Sequence, residues 1–189
     1  MNILIIYAHP NPKSFNAAIL KQVQDNLLKS YHITTLDLYA EGFDPVLKFD
    51  EVNKRRDLAK VSDMKKYRDL ISEANHLIFI FPIWWGGMPA ILKGFIDRVF
   101  AAGFAYSYKK TGLSGHLNGK SAWIITTHNT PAPFLPFVQD YGKVLKNQIL
   151  KSCGITPVKL TELTPVEKIT DEKRGQLLEK VAKAAADIK

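Results

Sequence analysis

One cysteine in 189 residues, Cys153, leaves no internal disulfide to form. It stands directly before Gly154 with no base beside it, and is expected to be a buried small hydrophobe ahead of a turn. Long apolar runs are also missing. None reaches the length of a membrane span, so no membrane insertion is expected. Met1-Asn2 leads straight into a short apolar stretch, with no basic segment and no cleavage motif, and the expected location is the cytoplasm. Zinc chemistry lacks ligands, because the five histidines show no ligand spacing and there is a single thiol. No metal site is expected. Neither a G-x-G-x-x-G nor a P-loop motif occurs, which argues against a dinucleotide-binding Rossmann domain and a nucleoside triphosphatase. No Ser-His-Asp arrangement is suggested.

Acidic residues are comparatively scarce: 18 against 26 lysines and arginines, a net charge of +8. A diffuse positive field steers anionic ligands such as phosphorylated cofactors. The basic residues are scattered. The densest group, Lys54-Arg55-Arg56, lies among Asp50, Glu51 and Asp57 and reads as a solvated helix face. With no nucleic-acid-binding motif present, no nucleic-acid partner is expected.

What is present is an ordinary globular composition, 46% hydrophobic, long enough for one full core. Residues 2–8 (NILIIYA) read as a buried central strand. Ser14 caps a helix to about residue 29, in which Phe15, Ala18, Ile19, Val23 and Leu27 recur at helical spacing. Residues 32–38 form a second strand, 39–61 a charged excursion, and 62–74 a helix. Residues 76–81 form a third strand and 119–127 a fourth, separated by an irregular segment at 104–118. A helix over 138–152, a strand over 155–163 and a helix over 170–188 complete the chain. Five strands alternating with helices predict an α/β doubly wound parallel sheet in the flavodoxin-like order 2-1-3-4-5, as a single domain over 1–189.

In such a sheet, ligands bind outside the carboxyl ends of the strands at the switch point. Three loops converge there. The first, HPNPKSFN, places Ser14, Phe15 and Asn16 at a helix N-terminus, whose free amides suit a phosphate. Ser14 is also an N-cap, and both roles can hold at once. His9 is either a phosphate or ribityl contact or a plain loop histidine. The second loop, Pro82-Ile83-Trp84-Trp85-Gly86-Gly87, joins two tryptophans to two glycines, suggesting a flat ligand held by stacking and close backbone approach rather than two core tryptophans. The third, TTHNTPAPF, offers hydroxyls and an amide from Thr126 onward. Tyr106 and Tyr108 alternate along an extended segment, and either line a pocket for an aromatic substrate or pack at a subunit contact.

These residues resemble the flavin-binding core of the NAD(P)H:quinone oxidoreductases, the DT-diaphorase-like enzymes of flavodoxin fold. FPIWWGGMPAILKGFIDRVF carries the likeness, together with AHPNPKSFNAAIL, DLYAEGFDPVL and GFAYSY in the same order, over about the first 130 residues. The resemblance implies bound FMN or FAD. His9, Ser14, Phe15 and Asn16 would hold the ribityl-phosphate side. Pro82, Ile83, Trp84, Trp85 and Gly86 would contact the isoalloxazine, and Thr126, Thr127, His128 and Asn129 its other edge. Tyr106 and Tyr108 would line the cavity where nicotinamide and acceptor bind in turn, across the interface of a homodimer. There are departures. His128-Asn129 stand where the animal enzymes have Gly-Gly, Phe134 replaces a tyrosine, Asp140 a histidine, Trp84 a glutamine and Gly86 a phenylalanine. These look like the shorter bacterial relatives, including the small reductases associated with potassium-efflux systems. His128 is a candidate for the charge-stabilising role of the missing pair.

The implied activity is two-electron transfer from NADH or NADPH, through the flavin, to a quinone or similar aromatic acceptor, with Tyr106, Tyr108 and His128 as catalytic residues. A different class of function is a flavin-binding ancillary subunit of a membrane transport system with incidental reductase activity. A one-electron flavodoxin is disfavoured, because such carriers are acidic and use a hydroxyl- and glycine-rich phosphate loop.

Overall fold

The computed structural model describes residues 1–51, 54–110, 112–134, 137 and 141–189. Its centre is a five-stranded parallel sheet in the order β2-β1-β3-β6-β7. The strands are β1 (Asn2–Tyr7), β2 (His32–Asp37), β3 (His76–Pro82), β6 (Ser121–Thr127) and β7 (Val158–Leu163). This is the order expected from the sequence, once a two-stranded hairpin inserted before β6 is set aside. In β3 all seven residues are buried, as expected for the middle of a sheet covered on both faces.

The pleat divides the strand residues between two cores. Leu4 and Ile6 of β1, Leu77, Phe79 and Phe81 of β3 and Ile124 of β6 pack with helices α2 (Lys65–Glu73) and α3 (Ala90–Val99). Ile3, Ile5 and Tyr7, Ile78 and Ile80, Trp123 and Ile125 face the other way, onto α1 (Phe15–Asn26) and α5 (Asp171–Ala186). Each such side chain contributes about 1.5–3 kcal/mol of burial. A one-residue slip would exchange the two sets, so the register Ile3↔His76 and His76↔Ser121 is firmly specified. Trp123, deep in the second core, is satisfied: its Nε1 donates to Thr161 Oγ1 at 2.9 Å.

The expected caps form. Ser14 Oγ accepts from Ala17 N at 3.1 Å, and Thr170 Oγ1 accepts from Lys173 N at 3.2 Å. Three readings need correction. The segment 104–118 is not irregular: it holds the antiparallel hairpin of β4 (Tyr106–Lys109) and β5 (Gly112–Gly115). Gly115 makes this possible, since a Cβ there would lie 2.3 Å from the Cys153 carbonyl carbon. The helix expected over 138–152 is a short α4 (Tyr141–Val144) that widens into a π-helical turn over Leu145–Leu150; residues 138–140 lie outside the described residues. The helix expected over 62–74 begins as a 3-10 turn, Ser62–Met64, before α2. The excursion carries a second 3-10 turn over Arg55–Lys60. Cys153 is buried as expected, and burial pushes its thiol up to about 11. No helix among the described residues is long and apolar enough to cross a membrane.

Candidate active site

The carboxyl ends of β1, β3 and β6 bring the three loops into contact. The first is tightly self-bonded. His9 Nδ1 accepts from Asn11 N at 3.0 Å, and Asn11 Oδ1 accepts from Lys13 N at 2.8 Å. With Nδ1 accepting, the neutral His9 ring carries its proton on Nε2 and presents it as a donor. Burial holds the His9 pKa below its usual value, which favours that neutral form. The ring meets Trp84 edge-on, with centroids 5.7 Å apart, and so ties the first loop to the second.

The tryptophan loop is a closed turn. Trp84 N donates to Gly87 O at 2.9 Å and Gly87 N to Trp84 O at 2.8 Å. The two central residues, Trp85 and Gly86, have φ of +53° and +71°, so the turn is of type I′. Glycine takes that conformation freely, whereas a bulky tryptophan pays about 1–2 kcal/mol for it. Neither tryptophan belongs to the core. Trp84 is 44% exposed and Trp85 stands fully in solvent. The turn is fastened on both sides, by Ile83 N donating to Thr127 O at 2.8 Å and Tyr141 N donating to Gly86 O at 3.1 Å.

The end of β6 closes the site. Asn16 Nδ2 donates to Thr127 Oγ1 at 2.8 Å, joining the first and third loops inside the protein. Asn16 and Thr126 are almost wholly buried, yet Asn16 Oδ1 and Thr126 Oγ1 have no hydrogen-bond partner among the described residues. Buried polar atoms are normally satisfied, so two orphans at a converging set of strand ends point to a polar ligand. His128 is buried as well. Its Nδ1 accepts from Thr130 N at 3.2 Å, and its Nε2 lies 3.9 Å from Glu162 Oε1, which is 3.9 Å from Lys143 Nζ. Asn129 is used differently: its Oδ1 accepts from Val166 N at 3.2 Å and Glu167 N at 2.9 Å, clamping the loop after β7. Its Nδ2 and its backbone are left for a ligand. Phe15 turns its ring onto the second core, beside Arg174, and offers the site only its backbone.

The comparisons find the same fold. A family model described as flavodoxin-like fold matches residues 1–187. The chain belongs to the flavodoxin-like family. It is 32% identical to an uncharacterized NAD(P)H oxidoreductase of Haemophilus influenzae, over 96% of this chain and 93% of that one. It is 31% identical to the FMN-dependent NADH:quinone oxidoreductase of Caldicellulosiruptor bescii, over 70% of this chain and 71% of that one. The crystal structure of Smu.1420 from Streptococcus mutans UA159 shares 73% identity over the whole of both chains, with a TM-score of 0.98. The resemblance to NAD(P)H:quinone oxidoreductases read from the sequence is thereby borne out, and the protein is an oxidoreductase of this flavodoxin-like family.

Within this flavodoxin-like chain, Tyr106 and Tyr108 do not join the three loops. They sit on β4, beyond the far end of α3, whose ten residues carry the chain about 15 Å back toward the amino ends of the strands. Their rings pack edge-on at 5.5 Å. Tyr106 is half-buried, and burial, then the Tyr108 phenol, raise its pKa. Beneath them opens a cavity of about 470 Å³, floored by Ile96, Phe100, Ala101 and Ile149 and rimmed by Arg55 and Arg56. The sequence reading passed over both arginines as a solvated helix face, and it also passed over Glu162 and Lys143. Glu162 carried one signal: it is the only acid in β7 (VKLTEL) and pairs across the sheet with Thr126. Phe134 is exposed and brings no hydroxyl, while Asp140 lies outside the described residues.

Proposed function

We propose that this protein is an FMN-dependent NAD(P)H:quinone oxidoreductase that works as a homodimer. The observation that carries this reading is the pair of orphaned buried atoms, Asn16 Oδ1 and Thr126 Oγ1, at strand ends bound to one another and to the tryptophan turn. The chemistry a flavin supplies when bound is two-electron transfer between NAD(P)H and a quinone. In this reading the α1 N-terminus, Ser14, Asn16 and the Nε2–H of His9 hold the ribityl-phosphate side. Pro82, Ile83 and the Trp84–Gly86 backbone orient the ring, and Thr126, Thr127, His128 and the Asn129 backbone hold its opposite edge. His128, with Glu162 and Lys143 behind it, is assigned the stabilisation of negative charge at that edge.

FMN is preferred to FAD because the large cleft under the excursion, lined by Asp44, Lys48, Asp57 and Arg98, includes none of the residues of the three loops. The placement of the tyrosines supports the dimer. If Tyr106 and Tyr108 serve the acceptor pocket, a second copy must present them, since one chain holds them a helix length from its own loops. Exposed Trp85, Tyr108 and Phe137 are large apolar groups that such a partner would cover. The test is an anaerobic NADPH titration of the flavin-loaded protein, following the flavin absorbance band. Bleaching, with recovery on adding menadione, is expected. A flavin that binds and stays oxidised would refute the reductase reading.

A further inference from the structure

The cavity under Tyr106 and Tyr108 is charged in a way that the rest of its lining is not. Its floor is apolar, and its rim carries Arg55, Arg56 and Lys93 against a single acid, Asp97. Lys93 Nζ donates to both Asp97 carboxylate oxygens at 2.6 Å, so that pair is self-neutralised. Arg56 is held loosely, with Nε 3.9 Å from Asp57 Oδ2, and Asp57 is already bound by Lys60 Nζ at 3.1 Å. Arg55 has no ion pair among the described residues, and its charge reaches the Tyr106 phenol. The rim therefore holds two positive charges in surplus above an apolar slot. A volume of about 470 Å³ suits a small aromatic molecule. A guanidinium at the mouth of such a slot is matched by the fork geometry of a sulfonate, carboxylate or phosphate. The two arginines start a 3-10 turn whose next apolar residue, Leu58, is buried and also lines the cavity, so their backbone is anchored where the slot opens.

We propose that Arg55 and Arg56 are specificity-determining residues that make this cavity select planar aromatic ligands bearing an anionic group. The inference rests on the reductase reading for the role of that ligand, but the binding it asserts can be measured without turnover. Two sources share the chemistry: an anionic quinone-like acceptor, and a nicotinamide donor carrying a 2′-phosphate.

The experiment uses the flavin-loaded protein, its Arg55→Ala, Arg55→Glu and Arg55→Ala/Arg56→Ala variants, and Arg55→Lys as the conservative control. Calorimetric titration with naphthalene-2-sulfonate gives the affinity directly. Steady-state kinetics then compare 1,4-naphthoquinone with its 2-sulfonate, and NADPH with NADH. The sulfonate Kd is expected to rise about tenfold in Arg55→Ala, more in Arg55→Glu, and to recover largely in Arg55→Lys. A matching fall in the ratio of kcat/KM for sulfonated over neutral quinone assigns the acceptor. A matching fall in the NADPH over NADH ratio assigns the donor phosphate. If the sulfonate binds wild type and variants alike, and neither ratio moves in the charge-reversed variant, the proposal is overturned. Sulfonate binding with no quinone turnover would instead overturn the reductase reading and leave the anion site standing. Both arginines are exposed, so circular dichroism is expected to show every variant folded.

Discussion

Asn16 offers the sharpest test of the flavin site, because its two side-chain atoms have separate jobs. Nδ2 is spent internally, donating to Thr127 Oγ1, while Oδ1 is buried with nothing to accept from. In Asn16→Ala without flavin, the loss of the internal bond costs about 1 kcal/mol, and removal of an orphaned acceptor offsets part of that. With flavin the variant also forfeits whatever Oδ1 accepts. A buried hydrogen bond to a ligand donor is worth about 1–3 kcal/mol, so the FMN Kd is expected to rise about 10- to 100-fold. Thr127→Val strands the Nδ2 donor instead, and is expected to destabilise the flavin-free protein more than Asn16→Ala does. A double-mutant cycle between the two is expected to give a coupling of about 1 kcal/mol. Urea unfolding with and without FMN, and titration of flavin fluorescence, measure both quantities. An Asn16→Ala protein that unfolds near the wild-type midpoint and binds FMN with an unchanged Kd would refute the assignment of Oδ1 to the ligand.

Other consequences follow from single residues. Trp85→Gly relieves a left-handed tryptophan and is expected to raise flavin-free stability by about 1 kcal/mol by thermal unfolding, while weakening flavin binding; a loss of stability would show that the indole packs on something. His76 is buried at the start of β3, with Nδ1 2.7 Å from Ser121 Oγ, and burial followed by the Lys159 charge holds its pKa down at about 4, against 6.5 unfolded. Below the unfolded value the unfolded chain takes up the proton first, so stability is lost as pH falls from 6.5 toward 4. The loss is about 2 kcal/mol by pH 5, read as a shift of the urea midpoint that His76→Gln would flatten. Cys153, with its thiol at about 11 and buried, is expected to resist a disulfide reagent at neutral pH until the protein unfolds; rapid native labelling would contradict its burial.

The fold was legible because both periodicities were written plainly. An all-apolar β3 and the Ser14 and Thr170 caps each point to one structure, and the register follows from the alternation of Ile3 and Ile5 with Leu4 and Ile6. The tryptophan turn and the Asn16, Thr126 and Thr127 group were legible as a candidate site for a related reason: they sit where strands end, and their residue types suit a ligand better than a core. The hairpin was not legible. YSYK and GLSG are four residues each, the alternation of Tyr106 and Tyr108 names no partner strand, and Gly115 lets the pair lie against the Cys153 backbone. The second job of Asn129, clamping residues 166 and 167, depends on a contact 37 residues away and leaves no local mark. Arg55 and Arg56 read as solvated for a sound reason, since they are exposed; what sequence could not show is that an aromatic cavity opens beside them.

The places where this chain breaks local rules fall mainly at the carboxyl end of the sheet. A tryptophan is held at φ +53°, two buried polar atoms go without partners, and a buried histidine is set beside a carboxylate and a lysine, all within the loops that follow β3 and β6 or against them. Elsewhere the exceptions are His76 Nε2, buried without a partner at the start of β3, and Lys168 at φ +54°; otherwise caps bond, buried Trp123 finds Thr161, and the two cores alternate. Such local costs persist only where the surroundings over-determine them, and they gather where function needs them. The type I′ turn is over-determined here, pinned by Thr127 on one side and Tyr141 on the other, so its strain is not free to relax in the absence of a ligand. A ligand that satisfied Asn16 Oδ1 and Thr126 Oγ1 would therefore find its site already formed. Binding would then proceed with little backbone movement, and the gain in stability on adding FMN would report contact energy rather than the ordering of a loop.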